Sequence, residues 1–126
     1  MSDGTILVVD DDPLLRGAIA MILEDEGYTV ELASDGIKAL EAIAANKPDM
    51  ILLDMMMPNM SGTQVLRELQ ESERTSSIPV IIMTAINGVA GGRVLNGDNE
   101  IVEKPFEVHD LLNKIALTMY RTRNVD

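Results

Sequence analysis

The chain has 126 residues, 46% hydrophobic and 25% charged, which supplies one ordinary core and excludes a disordered, charge-dominated chain. Its 10 basic and 21 acidic residues give a net charge of −11, which argues against a polyanion partner, because phosphate backbones are held mainly by Lys and Arg. Cysteine is absent and His109 is the one histidine, so disulfides, thiolate zinc and His-rich metal sites are excluded, and a bound metal needs hard oxygen ligands such as suit Mg²⁺.

The N-terminal residues lack a basic segment followed by a long apolar one, and no apolar run approaches ~18 residues, so the expectation is a cytoplasmic protein without membrane contact. Residues 6–9 form a continuous apolar run, as do 50–53 and 80–83, which predicts central parallel strands covered on both faces. Between the first two runs, residues 28–33 alternate: Tyr28, Val30 and Leu32 share one face and Thr29, Glu31 and Ala33 the other, which predicts an edge strand. Asp12 before Pro13 is a helix cap with a first-turn proline, and Leu15, Ala18, Ile19, Ile22 and Leu23 keep helical spacing up to Gly27. A second helix presents Ile37, Leu40, Ile43 and Ala44 and ends before Pro48. A third starts near Ser61 and buries Val65, Leu66 and Leu69, and a last one carries Val108, Leu111, Leu112, Ile115 and Met119 on one side.

Alternating strands and helices predict an α/β fold, a doubly wound five-stranded parallel sheet of order 2-1-3-4-5 with its ligand crevice outside the carboxyl ends of the strands. Polar residues stand at those ends in four strands: Asp10 and Asp11 after the first, Asp54 after the third, Thr84 after the fourth and Lys104 after the fifth. In that order the four strands are adjacent, so the residues converge on one rim. Three clustered carboxylates repel one another and recruit a cation, which makes Asp10, Asp11 and Asp54 a candidate Mg²⁺ cup. A hydroxyl and an ammonium at the same rim suit the equatorial oxygens of a phosphoryl group, and the central carboxylate is then a candidate nucleophile.

Four strings carry a resemblance in which order and spacing matter more than any one of them: ILVVDDD at 6–12, DMILLDMMMPNMSG at 49–62, PVIIMTA at 79–85 and EKPF at 103–106. Over nearly its whole length the sequence resembles a response-regulator receiver domain of the chemotaxis type, with a flavodoxin-like fold. The resemblance implies that Asp54 is the phosphoacceptor, and that Asp11, Asp54 and the Met56 backbone carbonyl bind Mg²⁺ while Asp10 acts through a coordinated water. It also implies that Thr84 and Lys104 contact the phosphoryl oxygens and that the bond between Lys104 and Pro105 is cis. The family's positions that flank the attacking water hold Met56 and Ile86 here, both apolar, which predicts slow loss of the phosphate.

The implied function is a phosphorylation switch loaded by a histidine kinase or phosphotransfer protein and read by a separate downstream protein, not an enzyme with turnover of its own. Only 22 residues follow Lys104, enough for the last helix and a short tail, so one receiver domain over 1–126 (core about 4–120) is expected, without direct nucleic-acid binding. Two departures from the family stand out. Gly88, Gly91, Gly92 and Gly97 predict an irregular or shortened fourth helix between Thr84 and Lys104, since each interior glycine costs about 1 kcal/mol relative to alanine. Ile101 replaces the usual switch aromatic, so a change in backbone order over 86–100, with strand 5 and the last helix, is the expected readout. Two other functions compete. Asp10 and Asp12 also read as the Asp-x-Asp start of a haloacid-dehalogenase-like phosphatase, but Leu14 stands where that motif wants Thr or Val, and Asp54 is left unexplained. An unphosphorylated docking scaffold has no need of the complete rim set.

Overall fold

The computed structural model describes residues 4–57, 59–84, 100–103 and 106–123. In chain order these form β1 (Thr5–Val9), α1 (Pro13–Asp25), β2 (Thr29–Ala33), α2 (Gly36–Ala45), β3 (Met50–Asp54), α3 (Gly62–Gln70), β4 (Val80–Thr84), β5 (Glu100–Glu103) and α4 (Val108–Arg123). The expected irregular helix between Thr84 and Lys104, and the Lys104–Pro105 bond, lie outside the described residues.

All strand pairings are parallel, in the order β2-β1-β3-β4-β5. Alternation along the strands divides the core into two halves. Leu7, Val9, Ile51, Leu53, Val80 and Ile82 face α2 and α3, where they meet Ala39, Ile43, Val65, Leu66 and Leu69. Ile6, Val8, Met50, Leu52, Ile81 and Met83 face α1 and α4, where they meet Ile19, Leu23, Leu111, Ile115 and Met119. Every residue of β3 is buried, as a continuous apolar run requires of a central strand, whereas β2 at the edge leaves Leu32 48% exposed.

The helix boundaries follow the local chemistry. The Asp12 carboxylate accepts from the Leu14 and Leu15 amides at the start of α1, and Gly27, at φ 99°, turns the chain out of it toward β2. Ser61 and Gln64 form a reciprocal capping box at the start of α3.

In α2 the structure corrects the expected face. Ile37 is 47% exposed and Ala44 is exposed, while Gly36, Ala39 and Ile43 are buried and Leu40 is partly buried. The reason is proximity: a Cβ on Gly36 would lie 2.7 Å from Val65 Cγ2 and 2.8 Å from the Met60 carbonyl oxygen. Small residues therefore form the contact with α3, and the bulkier Ile37 is turned outward. Likewise Val108, at the start of α4, is 42% exposed, leaving Leu111, Ile115 and Met119 as the buried stripe.

Candidate functional site: an acidic cup at the carboxyl ends of the strands

β1 and β3 lie side by side with Val9 opposite Leu53, so the residues that follow them, Asp10 and Asp54, reach the rim together. Asp54 continues the face of Met50 and Leu52 and points toward the α1 side of the sheet. One carboxylate oxygen from each of Asp10, Asp11 and Asp54 lies within 4.8 Å of the others. Asp10 is fully buried and Asp54 is 4% exposed, whereas Asp11 opens to solvent. The cup is thus closed below and accessible from above.

Short bonds hold the two buried carboxylates in place. Asp10 Oδ1 accepts from the Asp12 amide at 2.9 Å, and Asp54 Oδ1 accepts from the Met56 amide at 3.1 Å. The Asp10 amide donates to the Ala33 carbonyl at 3.2 Å and its own carbonyl accepts from Arg16 Nη1 at 2.7 Å. The Met55 amide donates to the Met83 carbonyl at 3.2 Å, anchoring the chain just beyond Asp54 to β4.

The donor set fits a hard divalent cation. Octahedral Mg²⁺ at 2.0–2.1 Å places neighbouring oxygens about 3 Å apart and opposite ones about 4.2 Å apart, a spacing that small adjustments within the cup provide.

Thr84 ends β4 with its backbone opposite Glu103, one row beyond the Asp54–Met83 pair. Lys104 and its contacts lie outside the described residues, though β5 ends at Glu103, immediately before it. Met56 flanks the cup with its side chain 64% exposed.

Two features of the site went unread in the sequence. Gly62, at the first position of α3, is packed so closely under the acceptor loop that a Cβ would fall 2.5 Å from the Asp54 carbonyl oxygen and 2.7 Å from Met55 Cα. Asn59, with φ 69°, reaches from that loop to Asp35 Oδ2 at 3.5 Å. The positive φ follows from the tolerance of asparagine for the left-handed region, and a Pro-Asn pair is the local signal for such a turn.

The sequence profile of the response regulator receiver domain matches residues 6–116. The chain belongs to the response regulator receiver family. Response regulator MprA of Mycobacterium ulcerans (strain Agy99) is 40% identical to it over 124 residues, an alignment covering 96% of this chain and 52% of that protein, so the receiver spans about half the length of that relative. Among solved structures, the signal receiver domain of a signal transduction histidine kinase from Syntrophus aciditrophicus superposes with a TM-score of 0.89 at 27% identity, covering 98% of this chain and 95% of that one. The receiver domain of sensor histidine kinase PA1611 from Pseudomonas aeruginosa PAO1, solved with a magnesium ion coordinated in its active site cleft, is 31% identical with a TM-score of 0.84, covering 93% of this chain and 98% of that one. The receiver is therefore a module of two-component signalling with the fold expected from its sequence. None of its described helices is long and apolar enough to cross a membrane.

Proposed function

We propose that this receiver is a phosphorylation switch in which Asp54 accepts a phosphoryl group from the phosphohistidine of a histidine kinase or phosphotransfer protein. The observation that carries the reading is the convergence of the Asp10, Asp11 and Asp54 carboxylate oxygens within 4.8 Å, on a chain of the response regulator receiver family. An Asp54 carboxylate oxygen attacks phosphorus, the bond from phosphorus to the donor imidazole nitrogen breaks, and an acyl phosphate forms while the imidazole leaves with the electron pair. Asp11, Asp54 and the Met56 carbonyl would hold Mg²⁺, and Asp10 would act on it through water. The cation, when bound, supplies counter-charge to the carboxylates and the phosphoryl oxygens. Thr84 and Lys104 are assigned the remaining phosphoryl oxygens.

The proposed receiver module, matched over residues 6–116, acts in the cytoplasm and catalyses only its own phosphorylation and dephosphorylation. Its proposed output is binding of a downstream partner at a surface that includes β5 and α4. The magnesium in the PA1611 receiver supports the cation assignment by likeness.

Acetyl phosphate or phosphoramidate with Mg²⁺ is expected to add a single phosphate by intact mass, prevented by excess EDTA and absent in Asp54→Asn. Label retained in Asp54→Asn overturns the acceptor assignment.

A further inference from the structure

Arg16 occupies an unfavourable place for a cation. It sits in the first turn and a half of α1, where its amide donates to the Asp12 carbonyl at 2.9 Å, and the helix dipole there is positive. A helical side chain leans toward the N-terminus of its helix, and the half-buried Arg16 follows that lean until Nη1 meets the Asp10 carbonyl oxygen at 2.7 Å. The short distance and the formal charge of the donor make this a strong hydrogen bond.

The acceptor is what gives the contact its consequence. The Asp10 carbonyl belongs to the peptide unit that joins Asp10 to Asp11, two of the three carboxylates in the cup. Rotation of that peptide plane changes ψ of Asp10 and φ of Asp11 together, and so swings the two carboxylates relative to each other. The Asp10 amide is already tied to the Ala33 carbonyl at the end of β2, and its carboxylate to the Asp12 amide. Arg16 supplies the bond on the carbonyl side, from α1. Its charge is brought to the peptide that joins two acidic residues of the cup, which offsets a helix start that otherwise disfavours a cation.

We propose that Arg16 is a positioning residue for the cation cup, clamping the Asp10–Asp11 peptide so that both carboxylates face the metal. This rests on the reading that the cup takes a divalent cation. Two effects of removing Arg16 have opposite signs. Loss of a nearby positive charge alone tightens cation binding, whereas loss of the clamp weakens it. Outer partners that orient metal ligands are worth about 10–100-fold in affinity, so the clamp dominates.

Isothermal titration of the full chain with MgCl₂ at constant ionic strength tests this, since the chain has no tryptophan to report binding. Arg16→Met keeps the apolar stem and is expected to bind Mg²⁺ about tenfold more weakly than wild type. Arg16→Lys keeps the charge without the planar fork and is expected to fall between the two. Leu69→Ala, which thins the core on the opposite face of the sheet, is the control for lost stability and is expected to keep wild-type affinity. Arg16→Met binding as tightly as wild type, or more tightly, overturns the clamp while leaving the cation reading intact, and so does an equal loss in Leu69→Ala. Wild-type protein without Mg²⁺ binding at millimolar cation overturns the cation reading and the clamp together. If Arg16→Met does not fold, Arg16→Lys decides, with a several-fold loss supporting the clamp and unchanged affinity overturning it.

Discussion

Gly17 and Gly62 carry the same absent side chain in opposite surroundings. A Cβ on Gly17, inside α1, would meet nothing within 4 Å, so Gly17→Ala is expected to stabilise the protein by about 0.5–1 kcal/mol through helix propensity. A Cβ on Gly62 would press on the Asp54 carbonyl and Met55 Cα, which are backbone atoms with no rotamer in which to escape. Gly62→Ala is expected to cost about 1–3 kcal/mol, as overpacking does, and to slow phosphorylation by displacing the acceptor loop. Urea denaturation of the two variants checks both signs. At Met56, 64% exposed beside the cup, a thioether offers an attacking water no strong hydrogen bond. Phosphate on Asp54 is therefore expected to decay more slowly in the native protein than in Met56→Asn/Ile86→Glu, followed by loss of the phosphorylated mass. Equal decay rates contradict that role.

Among the elements, α2 depends on a titratable cap. The Asp35 carboxylate is held below its ordinary value of 3.8, chiefly by accepting the Lys38 amide at 2.8 Å, with smaller contributions from Asn59 and from the Lys38 charge. A carboxyl with a depressed folded-state pKa contributes stability that is present above the unfolded value and disappears as pH falls through the folded one. Acid is thus expected to loosen α2 and its tie to the acceptor loop below the ordinary carboxylate range. Asparagine caps helices as well as aspartate without titrating, so Asp35→Asn should keep stability near neutrality and lose less of it on acidification. Thermal melts from about pH 6 to pH 3 compare the two slopes. A steeper loss in Asp35→Asn than in wild type contradicts the cap's titration.

At the scale of the whole molecule, a net charge of −11 works against compactness, and the burial of Asp10 and Asp54 concentrates part of that cost at the rim. A cation that binds only the folded cup returns stability by mass action, about 1.4 kcal/mol at ten times its Kd. The melting temperature is accordingly expected to rise with MgCl₂ beyond the rise in NaCl of equal ionic strength, because general screening is common to both salts. Asp11→Ala removes one of few protein ligands and should abolish the difference between the salts. A difference of wild-type size in that variant contradicts the ligand assignment.

Strand positions were legible in the sequence because full burial on both faces leaves a plain mark, the continuous apolar runs of β1, β3 and β4, and the alternation of β2 marked the edge equally well. The convergence of Asp10, Asp11 and Asp54 followed from the strand order, since parallel strands deliver every carboxyl end to one rim. What escaped the sequence depends on close approach. Apolarity alone favoured Ile37 for the buried face of α2, but at the start of the helix the spacing to α3 admits no more than Gly36, and that spacing exists only once the helices are packed on the sheet. Arg16 escaped for a related reason. Its partner is a peptide carbonyl, chemically the same at every position of the chain, so nothing in the residue code marks it, and only the tertiary structure decides which carbonyl a long cation reaches.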